Sequence, residues 1–215
     1  MLFSKQALKV IRGNSGDSGK QGPRCLIVDD SLLQKSGKRI ELMGKVYDHA
    51  SHSYQLGMKM LTLGHSDGKC FLPLDFSLHH EPGKKKNKGL KKTELKAQFS
   101  KKRNGGVPGR ERELEMGRDK ISTALEMIAR AVGKLGKVDY VLAGSWFICE
   151  KFIKKVRSFK KGIEVIGLIK TNRNVRIGGR NYRAANIPEV KRRQIKYCRK
   201  FKCHYISLEM SYIRS

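Results

Sequence analysis

Two adjacent carboxylates, Asp29 and Asp30, close the apolar run CLIVDD at residues 25 to 30. A short run of that composition predicts a buried strand that delivers acid side chains at its carboxyl end. Acids so placed suit metal-assisted phosphodiester chemistry. Carboxylates converging from neighbouring strand ends would hold two ions about 3.5 to 4 Å apart, one activating the nucleophile and one holding the leaving oxygen. Hard oxygen ligands of this kind select Mg²⁺ or Mn²⁺. The second corner of such a site is expected after the run VDYVLA, residues 138 to 143, and the residue there is Gly144. Glycine supplies no ligand. On its own, a strand-terminal Asp pair is more often a turn or capping device.

Other residue types offer less chemistry. Cys25, Cys70, Cys149, Cys198 and Cys203 form no C-x-x-C pair and are odd in number, which indicates neither a disulfide framework nor a zinc ribbon. His49, His52 and His65 lack partners at metal-ligand spacing and read as loop or surface residues. Trp146 reads as a core anchor following its strand. The glycines of GNSGDSGKQGP miss the phosphate-loop spacing, and no strand leads into them.

The elements that must position the acids follow from periodicity. Residues 1 to 23 read as a short amphipathic piece and a flexible linker, with an ordered domain from residue 24 to 215. After the first strand, residues 54 to 63 and 69 to 76 predict a hairpin closed by the turn GHSDG. Residues 79 to 110 are basic and Gly-rich, a solvated insertion between core elements. One helix is expected from about residue 112 to 133, with Ile121, Leu125, Ile128 and Val132 on a single stripe and Gly133 and Gly136 stopping it. A strand at 138 to 143, a helix at 147 to 159, a buried strand at 163 to 170 and a hairpin around 178 to 180 complete the plan. A basic stretch and a last strand-like run follow, with no closing helix. The fold class expected is α/β, a mixed sheet flanked by helices and incomplete at its carboxyl end.

With 47 Lys plus Arg against 19 Asp plus Glu, the chain carries a formal net charge of +28. Such an excess points to a polyanionic partner, because cations on phosphates release condensed counterions. The candidate contacts to a DNA backbone are Lys84, Lys85, Lys86, Lys101, Lys102 and Arg103, and a second stretch containing Arg192 and Arg193. No apolar run approaches the ~20 residues of a membrane span, and the opening MLFSKQALKVIRG lacks a secretory core.

Two segments carry a specific resemblance. VDDSLLQKSGKRIELMGKVYDHASHSYQLGMKMLTLGHSDGKCFLPLDFSLHHE, residues 28 to 81, looks like the opening of bacterial insertion-sequence DDE transposases of the large family founded on insertion sequence four. DYVLAGSWFICEKFI, residues 139 to 153, is similar to that family's second segment, in which a small-residue strand end precedes Asp-Ser-Trp-Phe. The resemblance implies an RNase H-like nuclease domain, Mg²⁺ or Mn²⁺ as cofactor, and transposon-end DNA as partner. It further implies a bacterial, nucleoid-associated setting in the cytoplasm, with a homodimer or association with an intact transposase as the assembly. It makes Asp29 the first catalytic carboxylate and metal ligand, with Asp30 as the alternative register, and puts Gly144 in the place of the second. Ser145, Trp146 and Phe147 keep the flanking motif. The family's third acid, a Glu within a Tyr, Arg, Glu, Lys signature, has no match, which leads to the expectation of a truncated, inactive copy. Asp139 lies about 16 Å from residue 144 by extended rise and cannot substitute. The competing expectation is a non-catalytic basic protein that occupies nucleic acid.

Overall fold

The computed structural model describes residue 11 and residues 22 to 80, 89 to 188, 196 to 199, 203 to 205, 211 and 212. Its centre is a mixed sheet built around β1 (Cys25–Gln34). β1 runs antiparallel to β3 (Ser53–Ser66) over ten residue pairs and parallel to β5 (Tyr140–Ala143) on its other edge. β3 also pairs with β2 (Gly44–Asp48) through Ser53 to Gly57, and with β4 (Phe71–His79) through Lys59 to Ser66. β6 (Glu164–Gly167) adds parallel to β5. The six-stranded order is therefore β2, β3, β1, β5, β6 with β4 also paired to β3, the mixed sheet with flanking helices of an RNase H-like domain. Parallel pairing between β1 and β5 requires a long crossover, and helices supply it.

Alternation along β1 separates two faces. Leu26 and Val28, 0 % and 2 % exposed, point into the main core. That core is closed by α3 (Lys120–Leu135), which contributes Ala124, Leu125, Met127, Ile128, Ala131 and Val132, and by α4 (Glu150–Phe159), which contributes Phe152 and Val156. The stripe predicted for this helix is the one buried. Removing a residue at its centre, such as Ile128 at 0 % exposure, would cost about 2 to 5 kcal/mol. Ile11, helical and 7 % exposed, joins the same cluster, so the core reaches upstream of residue 24.

Several boundaries differ from the sequence reading, each for a physical reason. The first strand continues to Gln34, because β3 is long enough to pair with every residue of it; Asp29 and Asp30 consequently lie within the strand and not at its end. β2 was not anticipated: GKVYD is short, and its partner is the amino-terminal part of β3, the start of the strand expected from residue 54. The single helix expected from residue 112 is two, α2 (Pro108–Glu115) and α3, separated by a turn. Asp119 stands at the break in extended backbone, and its carboxylate accepts the Ser122 amide at 2.9 Å, satisfying an N-terminal donor of the new helix. Within the basic insertion, Lys92–Lys96 form a further short helix, α1. Gly133 does not stop α3 but lies within it; Gly136, at φ +76°, ends it. β6 is an edge strand, with Ile166 51 % exposed, not a buried one.

Beyond β6, β7 (Asn174–Ile177) and β8 (Arg180–Arg183) form the expected hairpin. Its two loop residues, Gly178 and Gly179, have φ of +53° and +80°, the type I′ signs that match strand twist. The short strands β9 (Lys196–Cys198), β10 (Cys203–Tyr205) and β11 (Ser211–Tyr212) follow, β9 pairing with β10 and β11 with β7. No helix among the described residues is long and apolar enough to cross a membrane.

Candidate active site

The register of the parallel pair decides which residues meet. Val28 lies opposite Ala143, and the Gly144 amide reaches toward the Val28 carbonyl at 3.4 Å, so Asp29 and Gly144 are the next residues along their strands. A Cβ added at Gly144 would stand 3.2 Å from Asp29 Oδ1. Asp29 is exposed, and the same oxygen accepts the Asp30 amide at 2.9 Å. Two positions far apart in the chain thus converge on one point, with a carboxylate on one side and a hydrogen atom on the other.

Asp30 belongs elsewhere. By alternation it shares the face of Leu26 and Val28, and its Oδ2 accepts a 3.0 Å hydrogen bond from Lys120 Nζ at the start of α3. The two side chains are 18 % and 11 % exposed, so this charge-assisted pair is largely withdrawn from water. The Lys120 ammonium also sits 4.5 Å from the centroid of the Trp146 ring. Trp146 is 37 % exposed and therefore not the core anchor expected; Phe147, its neighbour, is fully buried and packs toward Phe152. The Trp146 ring instead lies against the Lys120 ammonium. Sequence reasoning missed Lys120 because a single helix from residue 112 would have put it mid-helix. The signal for its true place was the Asp-x-x-Ser cap at residues 119 to 122.

Behind Asp30 lies a row of buried polar groups on β3 and β4: Lys59, Asp75, Ser77 and His79 are each less than 7 % exposed. Asp75 is held by Arg130 at 2.9 Å and Arg112 at 3.6 Å. Arg112 also donates to the Phe76 carbonyl and to Glu115, its guanidinium stacked over the Phe76 ring. Ser77 donates to the same Glu115 at 3.0 Å. These contacts bolt α2 and α3 to β4. His65, expected at the surface, is 2 % exposed. Burial lowers the His65 pKa, and burial with the Lys120 charge lowers that of His79, although the Arg118 carbonyl, Glu115 and Asp30 pull His79 the other way.

The model of a family described as DDE superfamily endonuclease matches residues 8 to 206. The chain belongs to this DDE endonuclease family. Neither the curated proteins nor the solved structures give a match.

For a DDE endonuclease the donor set here is poor. Asp29 stands alone beside the carboxyl end of β5, Asp30 points to the other face and is paired with Lys120, and Gly144 carries no side chain. Among the described residues no group of three His, Cys, Asp or Glu side chains could hold a metal ion. The described residues alone therefore supply too few converging carboxylates to hold two divalent ions.

The basic segments expected to meet DNA divide into three. Lys84, Lys85, Lys86, Arg192 and Arg193 lie outside the described residues. Lys101 and Lys102 are exposed in a segment without regular secondary structure. Arg103 is committed to Glu41, both guanidinium nitrogens donating to its carboxylate, and the Lys101 amide donates to the same group. That bidentate pair pins the segment and presents the two lysines outward. The Arg103 hydrogen bond holds the Glu41 carboxyl below its ordinary range.

Proposed function

We propose that this chain derives from a bacterial insertion-sequence transposase of the family founded on insertion sequence four, and that it binds DNA without cutting it. The observation that carries this reading is the meeting of Asp29 with Gly144. The two residues that the resemblance equates with the first and second acids of a DDE site stand side by side, and a glycine at the second of them supports this reading. The intact site would use both carboxylates to hold Mg²⁺ or Mn²⁺ for hydroxyl attack on a phosphodiester. Here Asp29 alone cannot bridge two ions, so hydrolysis and strand transfer are abolished while the cationic surface persists. With a net charge of +28, binding to DNA is dominated by counterion release and falls steeply with salt. Association with an intact transposase at element ends, or as a homodimer, is the partnership consistent with this origin.

The test is nicking of supercoiled plasmid in Mn²⁺ by the wild-type chain and by Gly144→Asp, alongside a salt titration of duplex binding. The expected outcome is no nicking by the wild type and salt-sensitive binding by both. Cleavage by the wild-type chain above a no-protein control would overturn the proposal.

A further inference from the structure

α3 and α4 lie side by side over the sheet, and between them on the outer surface runs a groove of about 690 Å³. Its apolar walls come from Leu125 and Ala129 of α3 and Phe159 of α4. Its rim on the α4 side is Lys151, Lys154 and Lys155. The lining residues recur at i, i+3, i+4 and i+7 on both helices, 122, 125, 126 and 129 facing 151, 154, 155 and 158, so the groove is straight and about two helical turns long. One acid, Glu126, stands on the α3 side and is paired with Arg118 at 3.4 Å.

The rim cations are available. Lys154 makes only a surface pair with Glu150, its side chain 75 % exposed, an arrangement of little energetic weight. Among the described residues Lys151 and Lys155 are in no ion pair: Lys151 donates to the Ser122 hydroxyl at 3.3 Å, and Lys155 lies 5.6 Å from the Phe159 ring. An apolar trough with ammonium groups along one edge fits one ligand chemistry best, a helix with an apolar stripe flanked by acids. Duplex DNA would satisfy the lysines but has no apolar surface for the trough. A second copy of this chain would bring another charge of +28 against the first.

We infer that the α3–α4 groove is a docking site for an acidic amphipathic helix of a partner protein, two to three turns long. The probe is a synthetic 14-residue peptide with Leu at i, i+3, i+4 and i+7 and Glu at most other positions, labelled for fluorescence anisotropy with the full chain at about 0.15 M salt. The control peptide has the same composition in scrambled order. Two variants bear on the site from different sides. Lys151→Glu combined with Lys155→Glu reverses the rim, and Ala129→Phe fills the trough.

The expected result is saturable binding of the ordered peptide, at least about ten-fold weaker binding of the scrambled one, and a loss of about ten-fold or more in each variant. Unchanged circular dichroism and melting temperature show that the variants fold. Equal binding of both peptides would reduce the effect to net charge and overturn the inference, as would variants that bind normally. Two other outcomes also sink it: duplex binding lost in the rim variant while the peptide fails to bind, which assigns the groove to DNA, or a concentration-dependent dimer in sedimentation abolished by Ala129→Phe, which assigns it to a second copy.

Discussion

Asp29 Oδ1 lies 3.2 Å from the point where a Cβ on Gly144 would sit. That separation is tight but not closed, because Asp29 is exposed and its side chain can give by a few tenths of an ångström. An acid installed at residue 144 would therefore face Asp29 directly.

In Gly144→Asp, two carboxylates at this spacing repel when no cation is present, raising the pKa of one of them. A divalent ion converts the repulsion into a binding site. At ten times its Kd, such an ion adds about 1.4 kcal/mol to stability, or about 3 to 6 °C in melting temperature for a domain of this size. Thermal melts in EDTA and in Mn²⁺ check this. The expectation is an Mn²⁺ response in the variant and none in the wild type; equal responses would disprove the pairing.

Lys120 neutralises Asp30 and lies against the Trp146 ring. Lys120→Met keeps the apolar stem and removes the charge, leaving a largely buried Asp30 without its cation. The expected loss is about 1 to 3 kcal/mol in denaturant unfolding. Trp146 is the single tryptophan of the chain, so its emission reports the same change without ambiguity. A shifted emission maximum or altered iodide quenching is expected, and an unchanged spectrum with unchanged stability would refute this contact.

His65 and His79 are both buried, and burial is the main cause of the lowered pKa of each. Each is neutral in the folded protein at pH values where the unfolded chain, with a pKa near 6.5, already takes up a proton. Their contribution to stability is thus complete above about pH 6.5 and falls as pH drops below it, levelling off below the folded-state pKa. Unfolding free energies at pH 7.5 and 5.5 should differ in the wild type and differ less in His65→Gln/His79→Gln. A pH dependence identical in both proteins would remove the histidines from the account.

Asp75, 4 % exposed, receives Arg112 from α2 and Arg130 from α3. Asp75→Asn keeps the shape and deletes the charge. Breaking a buried pair in this way costs about 3 to 5 kcal/mol, and the partial exposure of both arginines puts the expected cost at the lower end. A denaturant midpoint unchanged from wild type would show that the helices are anchored by packing alone.

The order of the main strands and the apolar stripe of α3 were legible because periodicity is written locally. Leu26 and Val28 alternate, while Ile121, Leu125, Ile128 and Val132 recur at helical spacing. The meeting of residues 29 and 144 was legible through the resemblance and the strand order together. Features that depend on a distant partner were not. β2 exists because β3 is long enough to reach it, and His65 is buried because it sits on the core-facing side of that same strand. Trp146 lies outside the core because Phe147 takes the inward position, a choice between neighbours that composition does not make.

The central strand β1 takes one neighbour from nearby in the chain, β3, and the other, β5, across a gap of about 115 residues, the separation of the hydrogen-bonded Arg24 and Asp139. On a ribosome adding about 5 to 20 residues per second, that gap lasts about 6 to 23 s. The strands that cover the other edge of β1 are made within the first half of it, while the edge that β5 will take, CLIV, has no strand to pair with until the end. A bare apolar edge of that kind is a template for wrong partners, so the interval before β5 arrives is when the chain is most open to mispairing.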